Sequence, residues 1–402
     1  MIEKGLDVFF EVFLRKDSVF FDKKALQSNY IPETILHREE QTKQLANILA
    51  PALKGEKPSN TFVYGKTGAG KTLTVKHTTK KLMEVAEREN ISLKVLYINC
   101  KIKRSADTEY RLIAHLAREL GKSVPPTGLP TEEVYRSFFK ALNKQKQNYL
   151  LILDEIDQLV NKTGDNALYN LTRINEEDTE SQISIIGISN DIMFVEGIDP
   201  RVRSSLSEEE IIFPPYNALQ IQAILNQRVE FAFNKEIIDF GVIEKCAAYA
   251  ARDHGDARRA LELLRVAGEL ADRKNAKKVT IEHIDDAEAK IDRDRIIDMV
   301  VTQPKQYQLV LYSILFLQSG RKNSLFTGEV YEVYKSLCNK TNTSILTQRR
   351  VSDIISEFDM LGIINAKIIS KGRYGRTRDI SIEIPETTLP KIKKILEDSI
   401  RI

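Results

Sequence analysis

Cysteine and tryptophan are scarce in this chain of 402 residues, which has three cysteines and no tryptophan. The cysteines (Cys100, Cys246 and Cys338) lie far apart without a Cys-x-x-Cys pair, and the five histidines are equally scattered. The pattern therefore predicts neither a disulfide framework nor a zinc site, and it indicates an intracellular, cytoplasmic protein.

Long apolar runs are also lacking. The run at residues 314–317 is typical of the longest and is far too short to cross a bilayer. Charged residues interrupt the apolar positions of residues 3–11, which excludes the apolar region of a signal peptide. We therefore expect no secretory leader and no membrane partner.

Excess positive charge is missing from most of the chain and is concentrated near its end. The net charge is +3, whereas residues 301–402 carry 16 Lys and Arg against 10 Asp and Glu, so the preceding part is net negative. This asymmetry predicts a polyanionic partner for the C-terminal quarter. The composition, 42% hydrophobic and 29% charged, is that of a globular protein with room for two or three domains.

Glycine is infrequent, but residues 65–72 read Gly-Lys-Thr-Gly-Ala-Gly-Lys-Thr. An apolar stretch at 61–64 precedes this segment and a helical pattern follows it, which is the context of a phosphate-binding P-loop. A tight turn without a ligand is the alternative, but this context favours a site for ATP or GTP. Glycines let backbone N–H groups surround a phosphate, Lys71 supplies charge, and the Thr72 hydroxyl suits Mg²⁺. The predicted phosphate-binding residues are Gly65, Lys66, Thr67, Gly68, Ala69, Gly70, Lys71 and Thr72.

Two acidic residues follow an apolar run at 150–153. Ligands of open α/β sheets bind at the carboxyl ends of strands, so Asp154 and Glu155 should emerge beside the P-loop. We assign Asp154 to Mg²⁺ and Glu155 to the activation of an attacking water. Acids at a strand end can instead cap a helix, but the P-loop favours the catalytic interpretation.

A further buried strand is predicted at 183–188, and Asn190 follows it. Its amide could hydrogen-bond a γ-phosphate or the attacking water, although Ser-Asn-Asp is also ordinary turn chemistry. Two arginine clusters come later, at 199–204 and 255–259. Arginine stabilises phosphoryl-transfer charge, but surface arginines are usually only solvated, so spacing alone assigns neither cluster a role.

Strand and helix patterns alternate between residues 60 and 213, which predicts an α/β fold with a parallel sheet. Helical patterns alone fill residues 219–293. A break at Gln303-Pro304 opens a third part of three helices and two short strands. We therefore predict an α/β nucleotide-binding core at 1–213, an all-α subdomain at 214–298 and a third domain at 299–402. The predicted core strands are 61–64, 93–99, 149–153, 183–188 and 210–213.

The third part has the pattern of a winged helix. Helices are predicted at 304–318, 328–339 and 347–361, followed by strands at 363–369 and 379–384. Gln348, Arg349 and Arg350 fall in the first turn of the third helix, where cations oppose the helix dipole and where a recognition helix contacts base edges. The loop between the strands is basic, and a solvated hairpin tip is the alternative to a DNA-binding wing. Its candidate contacts are Lys371, Arg373, Tyr374, Arg376 and Arg378.

Five segments occur in the order GKTGAGKT, LLILDEID, IIGISND, DPRVRSSL and GDARRALELLR. Together they resemble the AAA+ ATPases of the initiator group. Residues 29–41 and 372–378 are similar to archaeal replication initiators, relatives of the first origin-recognition subunit and of the helicase-loading licensing factor. The resemblance covers residues 18–385 and implies an AAA+ core, an all-α lid and a C-terminal winged helix.

The resemblance also implies roles for single residues. Pro32, His37 and Arg38 would line an adenine pocket. Asn190 would be the first sensor of the nucleotide, and Arg258 the second, acting from the lid. Arg201 matches the arginine-finger position, and Arg203 is the less favoured substitute. An initiator-specific segment would contact DNA through Lys101, Lys103 and Arg104.

The implied protein is an ATP-dependent replication initiator. It would use ATP or ADP with Mg²⁺ and hydrolyse ATP slowly, as a regulatory step. Its partners would be double-stranded origin DNA, the replicative helicase and paralogous initiators. The alternatives are an AAA+ motor of the clamp-loader or chaperone type and a transcriptional regulator switched by ATP.

Overall fold

The computed structural model describes residues 18–101, 108–125, 127–144, 146–176, 181–191, 193–206, 209–319, 325–370, 376–384 and 388–400. The chain forms two compact units, Met1–Ile284 and Asp285–Ile402. The predicted divisions after 213 and 298 remain predictions. No helix in the described part of the chain is long and apolar enough to span a membrane.

The first unit is built on a parallel sheet of five strands in the order β2-β3-β4-β1-β5. Each predicted core strand is present, with bounds within one residue of the expected ones. The strands are β1 (Thr61–Gly65), β2 (Leu93–Asn99), β3 (Asn148–Asp154), β4 (Gln182–Ser189) and β5 (Glu209–Phe213).

Both faces of this sheet are covered. On β3, Leu151 and Leu153 pack into one apolar cluster, whereas Leu150 and Ile152 pack into another on the opposite face. Side chains alternate between the two faces of a strand, so a strand buried on both faces must be apolar at every position. This requirement explains why the run at 150–153 predicts a central strand.

Helices surround the sheet and form a helical subdomain beyond it. They are α1 (Glu39–Leu49), α2 (Lys71–Arg88), α3 (Glu109–Glu119), α4 (Thr131–Leu142), α5 (Ile156–Thr163), α6 (Asn166–Arg173), α7 (Pro200–Leu206), α8 (Ala218–Ala232), α9 (Val242–Arg252), α10 (Ala257–Arg273) and α11 (Ile281–Val301), which crosses the boundary between the units. The segment before α1 packs on the helical subdomain. The Phe20 ring stacks on Phe233 with 4.8 Å between ring centroids, and the Val19 N–H donates to Asp272.

The second unit is a winged helix. Its elements are α12 (Lys305–Ser319), β6 (Leu325–Phe326), α13 (Thr327–Lys340), α14 (Gln348–Met360), β7 (Ile364–Ser370), β8 (Arg376–Ile382) and α15 (Leu389–Ile400). The strands form an antiparallel sheet in the order β6-β8-β7. The sequence also predicts one buried face for this third helix, at Val351, Ile354, Ile355, Phe358 and Leu361. The first four are fully buried on α14, whereas Leu361 lies at the C-cap and is 42% exposed. The short strand β6 and the helix α15 were not predicted from the sequence.

Candidate nucleotide site and nucleic-acid interface

The P-loop joins β1 to α2, as predicted. Gly65, Gly68 and Gly70 have φ angles of 152°, 75° and 91°, in the region that favours glycine. Close neighbours add a second requirement, since a Cβ atom on Gly70 would lie 2.6 Å from the Tyr216 hydroxyl, and one on Gly68 would overlap the Asp256 carboxylate. The loop therefore needs glycine both for its backbone and for the approach of the helical subdomain.

Lys71 lies inside the loop with only 5% of its surface exposed. Its Nζ donates to the carbonyl oxygens of Gly65 at 2.6 Å and Lys66 at 2.9 Å, and to Oδ1 of Asn190 at 2.9 Å. Burial, together with the positive charge of Arg258, lowers the pKa of Lys71 from 10.5 to about 8. A nearby triphosphate would favour the charged ammonium, so this environment suits an anionic ligand.

Thr72 and Asp154 lie together, as the magnesium prediction requires. The Thr72 hydroxyl donates to Asp154 Oδ2 at 3.0 Å, and Asp154 is 5% exposed. Tyr97 also donates to Asp154 Oδ2, at 2.7 Å, and both burial and this carboxylate raise the pKa of Tyr97. A hydroxyl and a carboxylate are the oxygen ligands that Mg²⁺ uses beside nucleotide phosphates, and these two residues fit that ion. No group of three or more His, Cys, Asp or Glu side chains suited to a metal occurs among the described residues.

Glu155 precedes α5 in the left-handed conformation, with φ of 55°. Its side chain is 24% exposed, and its Oε2 lies 3.7 Å from the Nζ of Lys101. Lys101 is thus both a predicted DNA contact and a neighbour of the predicted catalytic carboxylate. The other two predicted contacts of this segment, Lys103 and Arg104, lie outside the described residues.

Most of the predicted phosphate and catalytic residues line one cavity of about 230 Å³, and Gly65, Lys66 and Ala69 are not among its described lining residues. Arg258 reaches it from α10, whose N-cap Asp256 accepts hydrogen bonds from the backbone of Arg258 and Arg259. The structure therefore brings together residues from four strand ends and from the helical subdomain. The predicted residues lining this cavity are Thr67, Gly68, Gly70, Lys71, Thr72, Asp154, Glu155, Asn190 and Arg258.

Arg201 lies on α7 and is not among the described residues that line this cavity. Its side chain is 84% exposed and forms a two-pronged contact with Asp199, Nε to Oδ1 at 3.1 Å and Nη2 to Oδ2 at 3.0 Å. This pairing lowers the pKa of the Asp199 carboxyl. Arg203, the substitute candidate, is also exposed and lies on the same helix.

A second cavity, of about 150 Å³, shares Gly68, Gly70, Thr72 and Arg258 with the first. Its other walls are largely apolar and come from residues 27–36, α2, Tyr216, α8 and α10, so it lies where the base of a nucleotide would extend from the P-loop. The residues that only this cavity uses include Tyr30, Ile31, Pro32, Ile224, Gln227, Arg228 and Leu261.

Of the three residues predicted for an adenine pocket, Pro32 lines the second cavity, and His37 and Arg38 are not among its described lining residues. Arg38 instead supports the P-loop from behind. Its Nε donates to the Ala69 carbonyl at 2.9 Å, its Nη2 donates to the Pro214 carbonyl at 2.6 Å, and its guanidinium lies 3.7 Å from the Tyr216 ring centroid. No pattern in the sequence distinguishes this supporting role from a ligand contact, because an arginine close to a predicted pocket fits both.

In the second unit, α14 begins at Gln348 and is capped by Thr347, whose hydroxyl accepts from the Arg350 N–H at 3.3 Å. Gln348 and Arg349 are exposed. Arg350 is partly engaged by its own unit, since its Nη2 donates to the Tyr307 hydroxyl at 3.1 Å and its Nη1 lies 3.6 Å from Glu357. The exposed Arg349 is therefore more available to contact a base than Arg350.

The predicted wing connects β7 and β8. Arg376 opens β8 opposite Ser370, and Arg378 lies opposite Ile368 in the antiparallel register. The remaining predicted wing contacts, Lys371, Arg373 and Tyr374, lie outside the described residues.

Comparison with protein families matches all three predicted parts. An AAA domain matches residues 54–191, a Cdc6 AAA+ ATPase-type lid domain matches 222–289, and a CDC6 C-terminal winged helix domain matches 298–391. These matches confirm the predicted fold class.

Similar proteins cover nearly the whole chain. The ORC1-type DNA replication protein 1 of Methanosarcina acetivorans is 50% identical over 397 residues, which is 98% of this chain and 94% of that protein. The ORC1-type DNA replication protein of Pyrococcus horikoshii is 51% identical over 383 residues, covering 94% and 91%. Among solved structures, the Aeropyrum pernix ORC1 protein in complex with DNA has a TM-score of 0.82 and 43% identity, covering 95% of this chain and 98% of that one.

Proposed function

The chain belongs to the family of ORC1-type DNA replication proteins, and we propose from this premise that it is an ATP-dependent initiator that binds origin duplex DNA and helps to recruit or load the replicative helicase. The main support is the convergence of Lys71, Thr72, Asp154, Glu155 and Arg258 on one cavity. Similarity to the Aeropyrum pernix ORC1 protein, whose structure includes DNA, supports a DNA partner.

The ATPase site would work through this chain's own groups. Lys71 and the N–H groups of the P-loop would hold the β- and γ-phosphates. Thr72 and Asp154 would hold Mg²⁺, which supplies charge neutralisation at the phosphates when bound. Asn190, already hydrogen-bonded to Lys71, would orient the γ-phosphate or the water, and Glu155 would accept the proton of that water.

Hydrolysis would be slow and regulatory, because the site within one chain lacks part of its charge stabilisation. Arg258 lines the phosphate cavity of its own chain, whereas Arg201 is exposed elsewhere on the same unit. We propose that Arg201 acts on the ATP of a neighbouring initiator, which can be a second copy or a paralogue. The nucleotide would then set the position of α10 against the P-loop, since both line one cavity.

Mixing two inactive variants tests this trans role. Lys71→Ala protein should not bind ATP but keeps Arg201, whereas Arg201→Ala protein binds ATP but lacks the finger. A mixture should therefore hydrolyse ATP faster than either variant alone, as measured by phosphate release under conditions where sedimentation shows that the chains assemble. Arg203→Ala is the matched control on the same helix and should retain activity by itself. An assembled mixture without recovered activity would refute the trans role of Arg201.

The winged helix would supply most of the DNA contacts. Lys101 and its neighbours would form a second DNA-contacting surface. The recognition helix α14 presents an exposed Arg349, and the wing strands carry Arg376 and Arg378. We propose that the protein acts in the cytoplasm and is associated with the nucleoid, because its proposed partner is chromosomal DNA.

Footprinting of the purified protein on its whole genome separates the three candidate functions. An initiator should protect a small number of intergenic sites at which DNA synthesis starts. A transcriptional regulator would protect scattered promoters, and a motor of the clamp-loader or chaperone type would leave no footprint. Either of the last two patterns would refute the proposed function.

A further inference from the structure

Tyr97, on β2, makes a short hydrogen bond to the carboxylate that is proposed to hold Mg²⁺. Its hydroxyl donates to Asp154 Oδ2 at 2.7 Å. The Thr72 hydroxyl shares its single hydrogen between the two oxygens of the same carboxylate, at 3.0 Å from Oδ2 and 3.3 Å from Oδ1. A hydroxyl binds a carboxylate most strongly at about 2.5–2.7 Å, so Tyr97 holds Asp154 more firmly than Thr72 does.

The register of the sheet explains why Tyr97 reaches this carboxylate. Asp154 lies beside Asn99 on the neighbouring strand, and Tyr97 lies two residues before Asn99. Side chains alternate between the faces of a strand, so Tyr97, Asn99 and Asp154 share one face of the sheet. A lysine of α2 fixes the tyrosine ring on this face, because the Nζ of Lys76 lies 3.9 Å from the ring centroid.

The tyrosine and the threonine differ in what happens when Mg²⁺ binds. Thr72 would offer its hydroxyl oxygen to the ion, so the orientation of this hydroxyl depends on the ion. The Tyr97 hydroxyl is held by β2 and by Lys76, and it can orient Asp154 before an ion arrives. Asp154 is 5% exposed, so little water is available to replace the hydrogen bond from Tyr97. Groups that hydrogen-bond a metal ligand in this way contribute roughly ten- to hundredfold to metal affinity.

We propose that Tyr97 is a positioning residue for Mg²⁺, which fixes the Asp154 carboxylate in the orientation that the ion needs. The proposal rests on the proposed binding of Mg²⁺ and ATP at this site and adds a residue that acts through Asp154. Because Tyr97 also lines the phosphate cavity, a direct contact with the nucleotide is the competing role. Only the role through Asp154 makes the contribution of Tyr97 to ATP binding depend on Mg²⁺.

The test measures ATP binding by the wild type and by Tyr97→Phe over a range of free Mg²⁺ concentrations, and also with Mg²⁺ removed by a chelator. Phenylalanine keeps the ring that contacts Lys76 and removes only the hydroxyl. The variant should need roughly ten- to hundredfold more free Mg²⁺ to reach half of the full effect of the ion on ATP affinity. With Mg²⁺ removed, its affinity for ATP should equal that of the wild type.

Tyr135→Phe is a matched control. The Tyr135 hydroxyl also donates to a carboxylate, Oε1 of Glu109 at 2.6 Å, and Tyr135 is not among the described residues that line the phosphate cavity. This control removes the same kind of hydrogen bond from another part of the same unit. It should keep the wild-type requirement for Mg²⁺ even if the lost hydrogen bond lowers the stability of the fold.

An unchanged Mg²⁺ requirement in Tyr97→Phe would overturn the proposal. Equal weakening of ATP binding with and without Mg²⁺, or complete loss of binding, would also overturn it, because the hydroxyl would then act on the nucleotide or on the fold. If the ATP affinity of the wild type does not respond to Mg²⁺, the assignment of Thr72 and Asp154 to the ion is wrong, and the role of Tyr97 with it. Failure of the wild type to bind ATP at all would instead refute the proposed ATPase site.

Discussion

Replacement of Lys71 by alanine is expected to abolish measurable ATP binding, whereas Glu155→Gln should bind ATP and retain it. Lys71 places its ammonium inside the loop, against the carbonyls of Gly65 and Lys66. Losing two charge-assisted hydrogen bonds to phosphates, at about 1.5–3 kcal/mol each, weakens binding more than about 100-fold. Glu155 makes none of these contacts, and its proposed role is only to activate the water, so its loss should slow hydrolysis by about 10²–10⁴-fold.

Equilibrium titration with labelled ATP and single-turnover hydrolysis measure the two effects separately. Lys80→Ala is a matched control, since it removes the same charge from an exposed position on α2. It should leave both binding and hydrolysis close to wild type. Hydrolysis at the wild-type rate by Glu155→Gln would show that the assignment of this carboxylate is wrong.

Binding of DNA is expected to divide between contacts that add affinity and contacts that read sequence. Arg376, at the start of the second wing strand, belongs to a basic hairpin suited to phosphates. Arg376→Ala should weaken binding to origin and random DNA alike and reduce the slope of log K against log salt by about 0.9. Arg349 is exposed in the first turn of α14. If the Arg349 side chain contacts a base in bidentate fashion, Arg349→Ala should reduce the difference in binding free energy between origin and random DNA by about 1–3 kcal/mol.

Arg350 provides a control for this division. It is adjacent to Arg349 and on the same helix, but it is already engaged by Tyr307 and Glu357. Arg350→Ala should therefore change specificity less than Arg349→Ala in the same titrations. A wing variant with an unchanged salt slope would remove the wing from the interface, and equal specificity losses at both arginines would contradict the structural distinction between them.

The parts of the fold that depend on local patterns could be predicted from the sequence. The central strands β1, β3 and β4 were predictable because burial on both faces demands continuous apolar runs, and the P-loop because phosphate binding demands glycine at specific turns. The polar residues at strand ends could also be assigned together, since parallel strands present their carboxyl ends at one edge of the sheet.

The remaining features depend on contacts between distant parts of the chain. Arg38 donates hydrogen bonds to the carbonyls of Ala69 and Pro214, and Tyr97 donates one to Asp154. In each pair the two residues are far apart in the sequence. No periodicity or spacing reports such pairs. The helix α15 and the two-residue strand β6 were missed for different reasons, the first because it follows the predicted wing and the second because it is too short for an alternating pattern.

The central claim is that this chain reads the sequence of duplex DNA at an origin. The most direct measurement is the ratio of Kd values for random and origin duplexes of equal length and base composition, with ATP present and at physiological salt. We expect the origin duplex to bind at least about 10³-fold more tightly, the lower end of the range for sequence-specific proteins. A ratio near one, with the protein folded and ATP bound, would contradict the claim.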